Sequence, residues 1–262
     1  DQARASGAAP DIWDQPLDGL ARLMWMAGDL EGAERAYQQL LQGSIETNDV
    51  RRTAELESDL AGLAYARGDV PACLQLLSSA RDRATGAGYQ QQLAVLNVNE
   101  AIVRFEGGEL EESGRIAAET VRIAIGLGDL RLVGRALEHL GLTTVDGDVI
   151  RRAAVLSRST GDLTGELEAL LSLAECMHLS DQPGPARELW SQIGPRVRTA
   201  GDVDQERADA LSAGRVKRPS DANAFFLSIS EREELLANVD GLPPLVDWQD
   251  AFDAVLRRYP AE

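Results

Sequence analysis

Residues 20–36 read LARLMWMAGDLEGAERA, residues 60–76 LAGLAYARGDVPACLQL and residues 100–116 EAIVRFEGGELEESGRI. In each, a helix-like run stops at a glycine followed by an acid and restarts at once. The pairs Gly28-Asp29, Gly68-Asp69 and Gly108-Glu109 lie forty residues apart. A fourth copy, LGLTTVDGDVIRRAAVL at 140–156, carries its Gly-Asp pair at 147–148, and a degenerate fifth, LAECMHLSDQPGPAREL, spans 173–189. A second series of breakers falls between the copies: Thr47-Asn48-Asp49, Gly86-Ala87-Gly88, Gly128-Asp129, Gly161-Asp162 and Gly201-Asp202. Two interleaved series at one period predict two helices, A and B, per repeat.

The chemistry of the breaker is local. Glycine ends a helix at low cost because it tolerates the left-handed conformation just past the C-cap. The acid beside it can accept the orphan N–H groups at the start of the next helix. One dipeptide therefore closes one helix and opens another, and so short a loop predicts antiparallel packing. Apolar spacing agrees: Leu20, Leu23, Met24 and Ala27 share one helical face, and Leu30, Ala33, Tyr37 and Leu40 share the next. Small residues (Ala21, Ala33, Ala36, Ala61, Ala64, Cys73) stand where helices should approach closely. Runs of β-branched residues are almost absent, and no Asn-Gly hairpin signal occurs, so the chain reads as all-α.

Composition narrows the function. The 262 residues are 44% apolar and 26% charged, a globular balance. A net charge of −17, spread along the chain, opposes binding to a phosphate backbone. Lys217 is the single lysine, a bias that fits high-GC coding. No stretch is apolar for the roughly 18–20 residues a membrane helix needs, and no basic-then-apolar leader is visible. Cys73 and Cys176 frame no disulfide pattern, so the expected setting is reducing and cytoplasmic.

The repeat resembles the tetratricopeptide repeat, in which a Leu-Gly pair precedes an aromatic, an inter-helix glycine and a small residue early in helix B. Leu140-Gly141 matches the pair, with Leu20-Ala21 and Leu60-Ala61 close to it. Gly28, Gly68 and Gly108 match the inter-helix glycine, while Ala33 and Cys73 match the small residue. The period near forty is similar to that of the longer-helix variety. That variety is found in kinesin light chains and in sensor regions of high-GC bacterial signalling ATPases and regulators. The resemblance covers roughly residues 14–213. It implies a right-handed α-solenoid of about five antiparallel helix pairs, with residues 1–13 as an N-terminal tail. After 213 the period dissolves. GRVKRPSD at 214–221 supplies a polar linker through 220, and 221–262 is expected to form a C-terminal helical cap or a docking element. Within it Ser230 and Glu233 read as a capping box ahead of Leu235 and Leu236, and Asp247 as the cap of a helix with Trp248, Ala251, Phe252, Val255 and Leu256 on one face.

The resemblance also implies a concave groove lined by the A helices. By register its lining includes Arg22, Trp25 and Met26 from the first copy, Tyr65 from the second, Ile102, Phe105 and Glu106 from the third and His178 from the fifth. Trp25, Tyr65 and Phe105 are forty apart, and aromatic, Met and Arg side chains are the types enriched at interaction hot spots. The competing expectation is that each aromatic only fills space between helices. The third copy departs from the family by placing Glu100 and Arg104 at core positions; four apart, they can pair along one turn, as a local contact or as a polar pair in the groove.

Catalytic residues are sparse. His139 and His178 are the only histidines, no phosphate loop or nucleophile elbow appears, and Cys176 and His178 point to different helix faces. The expectation is no enzyme, no metal and no cofactor, but a binding module for a basic or amphipathic protein segment, acting as a scaffold or as the sensory part of a regulator. No nucleic-acid or membrane partner is expected, and self-association would run through terminal repeats or the C-terminal helices. Two alternatives stay open: a small-molecule sensor whose ligand changes solenoid curvature, and a docking subunit of a biosynthetic enzyme complex.

Overall fold

The computed structural model describes residues 11–200, 205–216 and 248–259, with Ser230 and Glu233 as isolated positions. Residues 1–10, most of 221–247, Asp247 and the segment around the Ser230–Glu233 box lie outside the described residues. Among the described residues every element is a helix. The chain divides into two compact units, Asp1–Leu96 and Asn97–Glu262.

The first unit holds α1 (Asp11–Met26), α2 (Leu30–Glu46), α3 (Val50–Ala66) and α4 (Val70–Gly86). α5 (Gln90–Glu106) begins in it and continues into the second. The second unit adds α6 (Leu110–Leu127), α7 (Leu130–Thr144), α8 (Gly147–Ser159), α9 (Leu163–Leu179), α10 (Pro183–Thr199), α11 (Gln205–Ser212) and α12 (Trp248–Leu256). In the first unit α1 to α4 each pack on the next, and in the second the same holds from α6 through α11. Sequential packing of short-looped helices is the arrangement that a helical repeat requires. Odd-numbered helices are the A helices and even-numbered ones from α2 to α10 the B helices.

The turns are built as the breaker chemistry demands. Gly28 takes φ +82° past the end of α1, and the Asp29 side chain accepts the Gly32 N–H at 2.9 Å to start α2. Asp49, Asp69, Asp129 and Asp162 cap α3, α4, α7 and α9 in the same way, at 3.0 to 3.1 Å. Glu109 makes no cap hydrogen bond and turns to Arg104 instead. The small residues Ala21, Ala33, Ala36, Ala61 and Cys73 are buried as expected, and Ala64 is half-buried.

The fourth turn departs from the sequence pattern. It falls at Val145-Asp146, not at the Gly147-Asp148 pair; Asp146 caps α8, and Gly147 is its first residue. Val145 stands in the left-handed region at φ +53°, where a β-branched side chain is strained. A close approach explains the placement. A Cβ on Gly141 would collide with the Ile150 side chain, so α7 and α8 are pinned together one turn from the loop, leaving no room for a longer α7.

The described part of the C-terminal segment, α12, packs chiefly against α8. Phe252, Val255 and Tyr259 are buried there, with the Arg151 guanidinium 5.7 Å from the Phe252 ring centroid. Tyr259 donates its hydroxyl hydrogen bond to the buried Glu166 of α9 at 2.6 Å, and the Arg196 guanidinium of α10 lies 5.9 Å from its ring.

Candidate functional site

In the first unit the A helices α1 and α3 face each other along a line that is polar at one end and aromatic at the other. At the polar end Arg52 donates to Asp18 at 2.7 Å and to Glu55 at 3.3 Å. One turn further, Asp59 lies among Asp18, Arg52, Arg22 and Glu55. Burial, reinforced by the negative charge of Asp18, pushes its carboxyl up to about 6, although Arg52 and Arg22 pull the other way. Arg22 is exposed yet hydrogen-bonds the buried Tyr37, whose hydroxyl is raised by burial and by Asp59 and Asp18. At the aromatic end Trp25 lies against Gly62: a Cβ there would stand 2.5 Å from the indole.

Trp25 therefore fills space between α1 and α3, the competing expectation, while remaining half-buried, so part of the ring is open. Tyr65 is half-buried one turn beyond Gly62, and Met26 is exposed at 76%. The structure thus gathers Arg22, Trp25 and Met26 on α1 beside the helix that carries Tyr65. Asp18 and Asp59, the acids that give this face its character, were missed because acids at one-turn spacing are common in so acidic a chain. What singles them out is Arg52, held between α1 and α3.

In the second unit Ile102, Phe105 and Glu106 are half-buried on α5. Glu100 and Arg104 do pair, at 2.7 Å, and Glu109 closes the other side of the guanidinium. Glu100 is only 4% exposed, so the pair is anchored from within and not a loose surface contact. His178 is apart from these residues, at the end of α9. It lines a cavity of about 210 Å³ with Pro183, Arg187, Trp190 and Leu211, between α9, α10 and α11.

A further polar cluster joins α7, α9 and α11. Arg207 donates to both oxygens of Glu175, at 3.3 and 2.6 Å, to Glu168 at 3.2 Å and to Ser172 at 2.8 Å. Ser172 donates in turn to Glu138 at 2.7 Å. Burial, with Glu168 nearby, pushes the Glu138 carboxyl up to about 7. Glu175, though buried, is paired with Arg207, whose own charge burial opposes and Glu175 sustains. Next to Glu138, burial and the cations Arg135 and Arg207 push the His139 imidazole down to about 3, so it is neutral near pH 7. Among the described residues no three His, Cys, Asp or Glu side chains are grouped to hold a metal ion, and no helix is long and apolar enough to cross a membrane. Cys73 and Cys176 are both buried, and no disulfide joins them.

No family model matches the chain, and no curated protein matches it in sequence.

Proposed function

We propose that the chain is a non-enzymatic, tetratricopeptide-like binding module that takes a basic, amphipathic helical segment on the A-helix faces of its units. In this reading it serves as a scaffold or as the sensory part of a regulator. The observation that carries it is the α1–α3 face, where Asp59 is held half-buried beside Asp18, next to the partly open rings of Trp25 and Tyr65. A carboxyl whose ionisation is opposed by burial and by a second acid gains most from an incoming cation. Half-buried aromatic side chains beside it supply apolar contact without ordering long flexible chains.

The α9–α11 cavity favours a segment over a small molecule. Its volume of about 210 Å³ falls below the ~300–1,000 Å³ usual for small-molecule sites and suits a single apolar side chain better.

The test uses a fluorescent 17-residue peptide with Arg on one helical face and Leu on the other, and a scrambled control of the same composition. Anisotropy should report tighter binding of the amphipathic peptide. Tyr65→Ala should weaken it by about tenfold, the effect of about 1.4 kcal/mol. Equal binding of both peptides, or no effect of the substitution, would remove the α1–α3 face from the account.

A further inference from the structure

The cavity between α9, α10 and α11 joins an apolar wall to a set of unpaired nitrogens. Ala186 and Leu211 are buried, His178 and Trp190 are half-buried, and Pro183 and Arg187 are exposed, so it opens to solvent beside the arginine. Its volume of about 210 Å³ suits one side chain of leucine size, since a cavity of ~150 Å³ already holds a benzene ring. Among the described residues the His178 imidazole and the Trp190 indole N–H have no hydrogen-bond partner. Arg187 donates only through Nε, to the Pro183 carbonyl at 3.0 Å. The residues three and four places from Arg187 are Pro183, Gly184, Trp190 and Ser191, so no acid on its own helix can pair with it.

An arginine without a carboxylate stands out in this chain, where acids outnumber Lys and Arg by 43 to 26. Arg52, Arg67, Arg83, Arg104 and Arg207 each meet one within salt-bridge distance. On α10 the balance is reversed: Arg187, Arg196 and Arg198 face a single acid, Glu188. Arg198 reaches no carboxylate either; it donates to the Gly194 carbonyl and lies 5.8 Å from the Trp190 ring centroid. The cavity is therefore edged by donors and positive charge, with no acceptor of the chain's own aimed at them. Its complement is a negatively charged acceptor joined to a compact apolar group.

We propose that this cavity takes a short acidic segment of a second protein. One leucine-sized side chain enters against Ala186, Trp190 and Leu211, and the carboxylate of the adjacent residue is bound at Arg187. Neither half suffices alone. An exposed guanidinium gains little from a carboxylate in water, and one apolar side chain buries too little area to hold a segment. Joined on one backbone, each raises the effective concentration of the other. The chain's charge of −17 opposes an acidic partner at long range, but about 0.15 M salt screens that repulsion beyond ~8 Å while the contact at Arg187 persists. The site uses no residue of the α1–α3 face, so either proposal can fail while the other holds.

An NMR titration of the whole isotope-labelled chain with the blocked peptide Gly-Ser-Leu-Glu-Gly-Ser tests it. The signal followed is the Trp190 indole N–H, identified by its loss in Trp190→Phe. The expected result is a saturable shift with a Kd below about 1 mM. Replacing the peptide's Glu by Gln, or its Leu by Ala, should each weaken binding by about fivefold. Arg187→Gln, at an exposed residue, should abolish the preference for Glu over Gln and keep the preference for Leu over Ala. No shift at about 5 mM peptide, equal binding of the Glu and Gln peptides, or a Glu preference that survives Arg187→Gln would overturn the proposal. So would equally tight binding of free isocaproate, because the cavity would then be a site for a small acid.

Discussion

Two clusters of charge occupy the same kind of place, between successive A helices, and differ in how far water reaches them. Between α1 and α3, Arg52 and Asp18 keep about a quarter of their side chains exposed, at 24% and 27%. Among α7, α9 and α11, Arg207 and Glu175 keep 15% and 5%, and the arginine binds two carboxylates and a serine at once. An enclosed arginine satisfied on every side works as a tie, and its loss strands buried acids. A half-open one leaves its neighbours able to receive another cation. The enclosed cluster holds α11 in place, and the half-open one is where the proposed recognition would occur.

The largest expected effect comes from breaking the enclosed tie. Arg207→Ala should destabilise the second unit by about 3–5 kcal/mol in chemical denaturation, because the buried Glu175 would lose the guanidinium that binds both its oxygens. A loss as small as that of Arg52→Ala would erase the distinction between the clusters. Gly62→Ala tests the aromatic end of the first face, where a Cβ would force the Trp25 ring to shift; the cost should be about 1–3 kcal/mol.

Ionisation gives a second handle on the enclosed cluster. Glu138 is raised from an unfolded value of 4.5 to about 7, so its contribution is complete below pH 4.5 and is lost as pH rises through 7. His139 is depressed from 6.5 to about 3, so its contribution is complete above pH 6.5 and is lost as pH falls toward 3. Between pH 6.5 and 7.5 the two oppose each other, because the unfolded His139 still releases its proton there while the folded Glu138 releases its own. The Glu138 effect is the larger, so stability should fall only slightly with rising pH, by well under the ~1.4 kcal/mol per pH unit of one whole proton, and Glu138→Gln should turn the slope upward. The smallest effect belongs to the half-open cluster: Arg52→Ala should cost about 1 kcal/mol, as partly exposed ion pairs do.

The helix pairs were legible in the sequence because one residue type does one job at each turn. Gly28 supplies the left-handed backbone and Asp29 the cap; Gly68 and Asp69 repeat both, while at 108 the glycine alone keeps its part. The fourth turn was misplaced because contact between Gly141 and Ile150 overrides the local glycine signal and forces Val145 into an unfavourable conformation. Spacing of four residues also anticipated the Glu100–Arg104 pair. Register could not reveal that Trp25 is seated on Gly62, since a glycine inside a helix carries no mark of what approaches it. Nor could it show Leu20 and Leu23 open to solvent, because apolar spacing records a face without recording whether anything covers it. The Arg207 cluster joins residues 138, 172, 175 and 207, which no local pattern connects.

The proposed recognition at the α1–α3 face turns on Asp59, and its pH dependence is the most direct test. With the carboxyl titrating at about 6, affinity for the basic amphipathic peptide should rise by about tenfold between pH 5 and 7.5 and level off above that. In Asp59→Asn the affinity should be weak and flat across the same range. An affinity independent of pH in the wild type, or a pH dependence that persists unchanged in Asp59→Asn, would contradict the assignment of this face to a cationic helix.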